Sequence, residues 1–263
     1  MPLLEANGIR LMVDDAGAGE PLVLVHGSWD DRSVWGLVRD ELARSFRVVA
    51  YDRRGHTDSE DGAEPGTRRD DEDDLAALVE VLGAAPAYVV ANSFGSSIAL
   101  GMAVRAPELV RGLCLHEPPL IGLLEDAPIG DALGPVIDLI ETGEHTAAAQ
   151  RFVDEVALGP GAWEAMGPED RAVMVRNAPT FAEELRDPAA FGVDLDAVAA
   201  LQRPVLLTRG DRSPPFFEPI VDILASTLPR AEVRTIRGAG HVPHVTHPAE
   251  YVAVVRDLAA TTP

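Results

Sequence analysis

The sequence contains no lysine; all 22 of its basic residues are arginine. That absence removes a Schiff-base lysine, a phosphate-loop lysine and a lysine general base together. Cysteine is nearly absent too. Cys114 stands alone, so neither an internal disulfide nor a cysteine-rich metal site can form. It lies in the apolar run Leu113-Cys114-Leu115 and reads as a small buried hydrophobe. No run approaches the about 18 apolar residues that a membrane span needs. The opening stretch MPLLEANGIRLMVDD lacks the basic start, apolar run and small-residue cleavage site of a signal peptide, which makes a cytoplasmic location the expectation. Positive charge is scarce, and the net charge is -21. Such a surface repels nucleic acid and anionic membranes, so neither is expected as a partner. The acidity reads as solubility.

What remains is ordinary globular composition, 46% hydrophobic and 25% charged over 263 residues. Short runs rich in Val and Leu predict strands at Ile9–Asp14, Leu22–His26, Phe46–Tyr51, Tyr88–Asn92, Gly112–His116, Val205–Thr208 and Glu232–Ile236. Helical patterns fall between them. Thr67–Gly83 opens with TRRDDEDD, whose carboxylates suit the positive end of a helix dipole and read as a solvated helix start. A calcium loop would need a glycine turn and spaced ligands that are missing. Strand–helix alternation implies an α/β fold with a mostly parallel central sheet flanked by helices. The alternation breaks between Leu120 and Arg203. Helical patterns at Ala132–Glu141, Thr146–Leu158, Pro168–Asn177 and Thr180–Arg186 predict an all-helical lid inserted after the sixth strand. The expected division is therefore 1–119 and 203–263 for the core and 120–202 for the lid.

Chemistry concentrates at Tyr88-Val-Val-Ala-Asn-Ser-Phe-Gly, where a buried strand runs straight into a helix with Ser93 at the junction. A turn that sharp strains the serine backbone and leaves room only for small residues two positions either side, here Ala91 and Gly95. Gly is usual at both places, so Ala91 is a departure of one methyl. The turn presents the Ser93 hydroxyl above the sheet edge, beside the free N–H groups of the next helix. The alternative is a plain helix N-cap. Upstream, Leu22-Val-Leu-Val-His-Gly-Ser-Trp ends a strand in a loop able to supply the second donor of an oxyanion hole. The backbone N–H groups of Ser28 and Phe94 are the expected pair, with His26 ordering the loop.

A serine nucleophile needs an imidazole. His241, His244 and His247 follow the last strand, and His241, directly after Gly238-Ala-Gly, suits the order serine, acid, histidine. His244 is expected to line the pocket or to be solvated, and His247 to precede a helix starting at Pro248. A metal site on the three is not expected, because Pro243 and Pro248 break any helix that would align them. Two carboxylates compete for the third role. Asp211 follows the penultimate strand, between Arg209 and Arg212. Glu117 ends an apolar strand before two prolines, where an unpartnered carboxylate is costly and a protonated imidazole would compensate it. The physical argument leans towards Glu117 and leaves Asp211 open.

The motifs HGSW, DRRGH, ANSFG, GDRSP and GAGHVPH, in this order, resemble the α/β-hydrolase superfamily. Within it CLHEPP, GPGAWEAMGPED, SPPFFEPIV and GHVPHVTHP resemble the zearalenone lactone hydrolase group. That resemblance implies a Ser93–Glu117–His241 triad with Ser28 and Phe94 at the oxyanion hole. Where that group carries a lid tryptophan, this chain presents Phe181, which has no N–H donor. That difference argues against the large resorcylic lactone as substrate.

The expected function is a serine hydrolase without cofactor or metal, cleaving a small apolar ester or lactone through an acyl-enzyme. It would act as a monomer or homodimer, with Trp29, Trp163, Met166 and Phe181 at the substrate. Two alternatives stay open. One is hydrolysis of a carbon–carbon bond in a ring-fission diketone, with which Asn92 before the serine is compatible. The other is a non-catalytic small-molecule binder of the same fold. Cofactor-free haloperoxidase-like chemistry would use the same three residues.

Overall fold

The computed structural model describes residues 3–125 and 129–261. Positions 1, 2, 262 and 263 of the expected core and 126–128 of the expected lid lie outside the described residues. Eight strands form one sheet: β1 Leu3–Ala6, β2 Ile9–Gly17, β3 Glu20–Val25, β4 Phe46–Tyr51, β5 Ala87–Asn92, β6 Val110–His116, β7 Val205–Gly210 and β8 Ala231–Ile236. Their order is β1-β2-β4-β3-β5-β6-β7-β8. The β1–β2 and β2–β4 pairs are antiparallel and all others parallel.

The helices are α1 Gly36–Leu42, α2 Arg68–Val81, α3 Phe94–Arg105, α4 Ile129–Glu141, α5 His145–Arg151, α6 Ala162–Ala165, α7 Pro168–Arg186, α8 Leu195–Ala199, α9 Phe217–Thr227, α10 Pro243–Thr246 and α11 Pro248–Thr261. Alternate residues of the central strands feed two separate cores, as the two-residue strand period requires. Val23, Val25, Val89 and Ala91 face Leu75, Leu78, Ile98 and Leu224 from α2, α3 and α9. Leu22, Leu24, Tyr88 and Val90 face Val38, Leu42, Val254 and Val255 from α1 and α11. Burying each large aliphatic side chain in these layers contributes about 1.5–3 kcal/mol. The chain between β6 and β7 adds only helices among the described residues, and its Val136, Val153 and Phe181 form a third core together with Trp29 from the loop after β3.

Several expectations need correction. Strand β1 was not foreseen. It pairs with β2 through Asn7 and Gly8, both at positive φ (49° and 77°), the conformation a two-residue hairpin turn demands. The two helices expected at Pro168–Asn177 and Thr180–Arg186 are one, because Pro179 removes a single donor without ending α7. The pattern at Thr146–Leu158 divides into α5 and a wider π turn over Phe152–Ala157. The acidic start of α2 is not solvated: Asp71, Glu72 and Asp74 are buried. Asp71 pairs with Arg53, Glu72 with Arg68 and Arg105, and Asp74 with Arg54. Thr67 and Asp70 close a capping box in front of them. Among the described residues no helix is long and apolar enough to cross a membrane.

This topology marks a candidate place for a ligand. The chain leaves β3 for β4 on one side, while β5 lies on the other, so the carboxyl ends of β3 and β5 flank a switch in strand order. Open α/β sheets bind ligands in such crevices. The loops carrying Ser28 and Ser93 leave from these two ends.

Candidate active site

Ser93 sits between β5 and α3 with φ 53° and ψ −127°, a backbone conformation that costs a non-glycine residue about 1–3 kcal/mol. Its side chain makes no capping hydrogen bond to α3, which argues against the plain N-cap reading. The neighbouring backbone shows what holds the turn. Ser93 N–H donates to the His116 carbonyl at 2.8 Å, locking the turn to β6. A Cβ on Gly95 would lie 2.4 Å from the His26 carbonyl oxygen and 2.5 Å from that of Val25, so α3 can cross β3 this closely only with glycine there. A Cβ on Gly27 would lie 3.0 Å from Ser93 Cβ, so the loop after β3 passes directly over the serine.

Ser93 and His241 line one cleft, of about 470 Å³ counting space open to solvent. His241 follows β8, and its Nδ1 is 2.7 Å from Glu117 Oε2. Its ring stacks on Phe217, centroids 4.4 Å apart and planes 15° apart. Glu117, fully buried at the end of β6 with φ 47°, accepts the Gly210 N–H at Oε1 at 2.8 Å. Its Oε2 also lies 3.3 Å from His116 Nε2. Burial pushes the carboxyl up, but the imidazoles of His116 and His241 outweigh it and hold Glu117 below the usual carboxylate range. An ionised carboxylate is thus maintained in the interior, aimed at Nδ1 of His241.

The rival acid stands elsewhere. Asp211 is exposed, and its Oδ1 accepts the Gly238 N–H at 2.7 Å, pinning a glycine at φ 77° ahead of His241. Arg209 pairs with Asp222 and Glu218 instead. His244 neither lines the cleft nor meets water. It is fully buried, 4.4 Å from the Trp35 ring, with both ring nitrogens unpartnered. His247 does precede α11 and lies partly exposed. The metal question therefore moves from those three to His116, Glu117 and His241, whose ligand atoms lie within 4.8 Å of one another. Both Glu117 oxygens there are already engaged by N–H donors or imidazole nitrogens of the protein.

His26 orders its loop as expected. Nδ1 donates to the Gly27 carbonyl at 2.8 Å and Nε2 accepts the Arg53 N–H at 3.0 Å. Burial and the Arg53 charge push this histidine down to about 3, so it stays neutral. Ser28 lines the cleft, and its hydroxyl donates to Glu184 of α7. Phe94 opens α3, where the first N–H groups of a helix have no intrahelical acceptor. Arg53 places its guanidinium 4.9 Å from the Phe94 ring.

Of the four residues expected at the substrate, Phe181 lines the cleft. Trp29, Trp163 and Met166 are not among the described lining residues. Trp29 is fully buried beneath Phe152 and Phe181, with ring centroids 5.0 Å from each. Trp163 and Met166 pack into the core of the helical segment, where Arg171 covers the Trp163 ring. The lining is instead supplied by residues the sequence did not mark, chiefly Phe152, Phe191, Phe216, Phe217 and Ile121. A signal for two of them existed in the Phe216–Phe217 pair just beyond the penultimate strand. Apart from His241 the lining carries no titratable side chain.

Residues 22–254 match the model of the alpha/beta hydrolase family. This chain belongs to that family. Among solved structures, the enol-lactonase from Burkholderia xenovorans LB400 superposes on this chain with a TM-score of 0.84 at 21% identity, covering 98% of this chain and 100% of that one. An alpha/beta hydrolase from Sphaerobacter thermophilus DSM 20745 gives 0.78 at 26% identity over 95% and 98%. In sequence, the 2-hydroxymuconate semialdehyde hydrolase of Pseudomonas sp. (strain CF600) is 43% identical over 114 residues. That match spans only 42% of this chain and 40% of the relative.

Proposed function

We propose that this α/β-hydrolase cleaves a neutral, apolar ester or lactone by serine catalysis. Ser93 is the nucleophile, His241 its base and Glu117 the carboxylate behind the imidazole. The observation that carries the reading is the buried 2.7 Å contact between Glu117 and Nδ1 of an imidazole that shares the cleft with a strained serine. With Nδ1 bound to Glu117, Nε2 is the nitrogen left for the serine proton. His241 takes that proton as Ser93 attacks the carbonyl carbon, and the backbone N–H groups of Ser28 and Phe94 stabilise the oxyanion. Loss of one such donor typically costs about 3 kcal/mol. The imidazolium returns the proton to the leaving alkoxide. A water deprotonated by the same imidazole then cleaves the acyl-enzyme and regenerates Ser93. In this reading 1–119 with 203–263 is the catalytic core, and 120–202 is a lid whose apolar side chains select the substrate.

The carbon–carbon bond reading draws support from the partial match to a semialdehyde hydrolase and from Asn92, whose buried Oδ1 has no hydrogen-bond partner beside Ser93. A ring-fission acid carries a carboxylate, which calls for a cation in the cleft. The lining offers none. Arg53, buried behind Phe94, is already committed to Asp71 and Glu184. The cleft chemistry therefore favours a neutral substrate. Turnover of uncharged aryl and alkyl esters, lactones and a ring-fission diketone acid should be compared in wild type and Ser93→Ala. Ester or lactone hydrolysis that disappears in Ser93→Ala is expected. Turnover of the diketone acid alone would reverse the assignment.

A further inference from the structure

Helix α7 carries Asn177, Thr180 and Glu184 on one face, the i, i+3 and i+7 positions, and all three are buried. The stripe faces neither solvent nor the apolar core; it is hydrogen-bonded to the loops after β3 and β4. Asn177 Nδ2 donates to the Asp30 carbonyl at 2.9 Å, and its Oδ1 accepts the Thr57 N–H at 2.9 Å. Thr180 Oγ1 lies 3.1 Å from His56 Nε2. Glu184 reaches deepest: Oε2 accepts the Ser28 hydroxyl and Oε1 accepts Arg53 Nη2 at 2.8 Å.

Arg53 extends the connection. Its guanidinium, 1% exposed, holds Asp71 through Nε at 3.1 Å and Nη2 at 2.9 Å. Nη1 donates to the Gly27 carbonyl at 3.3 Å, and the cation lies 4.9 Å from the Phe94 ring. One buried cation thus touches both halves of the oxyanion site, the loop through Gly27 and the helix start through Phe94. Two carboxylates and a serine hydroxyl complete a network in which each group restrains the next.

We propose that Glu184 and Arg53 are positioning residues that fix Ser28 over Ser93, so that the Ser28 backbone N–H meets the developing oxyanion. The inference rests on the serine-hydrolase reading above. The Ser28 hydroxyl serves as the anchor: its proton goes to Glu184, which leaves the backbone N–H for the substrate. Since Glu184 belongs to the segment that roofs the cleft, part of the lid is a fixed component of the catalytic loop.

The chemistry of the pair supplies a test. Both partners of Glu184 are donors, so glutamine, with one acceptor and one donor atom, can keep only one of them. Glu184→Gln, Ser28→Ala, the double variant and Thr180→Val should be assayed for kcat, KM, melting temperature and labelling by a fluorophosphonate. Thr180→Val loosens the same helix without touching Ser28. Each of the first two variants should lower kcat about tenfold or more with KM nearly unchanged. The double variant should fall little further, since both changes break one linkage. Thr180→Val should lower the melting temperature and keep kcat. Should Glu184→Gln fail to fold, Ser28→Ala leaves the ion pairs intact and tests the anchor alone. Wild-type kcat in a folded Ser28→Ala or Glu184→Gln protein would overturn the inference. Absence of labelling in wild type would overturn the underlying serine reading instead.

Discussion

At the residue scale, two side chains of the proposed triad sit on backbone that residues with a Cβ avoid. Ser93 has φ 53° and Glu117 φ 47°, and each is held by hydrogen bonds reaching to the neighbouring strand. Strain of this kind is uncommon outside glycine; here one strained residue is bonded to an imidazole and the other lines the same cleft, which is where strain is most often functional. The two carboxylates then separate by experiment. Glu117→Gln should lower kcat/KM by about three to four orders of magnitude, because the imidazole loses both its tautomer and its counter-charge. Asp211→Asn keeps an acceptor oxygen for the Gly238 N–H and removes only an exposed charge, so it should cost about tenfold at most. Steady-state kinetics on both purified variants checks the ranking, and the reverse order would transfer the role to Asp211. The candidates Ser93, His241 and the two carboxylates Glu117 and Asp211 could be picked from the sequence because each follows a recognisable strand, and the chemistry narrows what can stand there. Glu184 and Arg53 were not. Their partnership joins residues 131 positions apart, which no local pattern encodes.

At the element scale, strand runs were readable wherever burial on both faces made them continuous. The exception is β1, whose Leu3-Leu4-Glu5-Ala6 is too short to stand out. The Asn7-Gly8 pair was its only signal. The acidic start of α2 misled for a different reason. A charge run reads as solvated until the arginines that neutralise it are known, and Arg53, Arg54 and Arg105 come from other elements. Helix α10 misled likewise, since a histidine between prolines near the base promises a polar setting. His244 is instead packed by Trp35 and Tyr251 and faces His116 and His241. Burial holds its imidazole well below its usual 6.5. The unfolded chain takes up a proton below pH 6.5 and the folded one does not, so this residue's contribution to stability declines as pH falls beneath that value. His244→Phe, which fills the same space without unpartnered nitrogens, should raise the urea midpoint more at pH 5 than at pH 8. An equal shift at both pH values would contradict the buried neutral assignment.

At the scale of the whole molecule, 43 acidic residues face 22 arginines, yet the arginines are not spread evenly. Arg53, Arg54 and Arg32 are drawn inward to pair with carboxylates near the loops that follow β3 and β4. The cleft that holds Ser93 and His241 is left nearly free of charge and lined by phenylalanines. Charges thus lie on the surface and in the framework, and the groups proposed to react lie in an apolar cleft, where the proposed oxyanion and its donors would interact strongly. Composition alone made the surface acidity readable. The neutrality of the cleft was not readable, because it depends on which arginines fold away.

The account stands on the hydroxyl of Ser93 being made nucleophilic by His241, and one measurement addresses that directly. The intact protein is treated with a fluorophosphonate and its peptides are sequenced by mass spectrometry. A single adduct on Ser93, formed in wild type and abolished in His241→Ala, is the predicted result. An adduct on another residue, or labelling of Ser93 that is undiminished without His241, would contradict it.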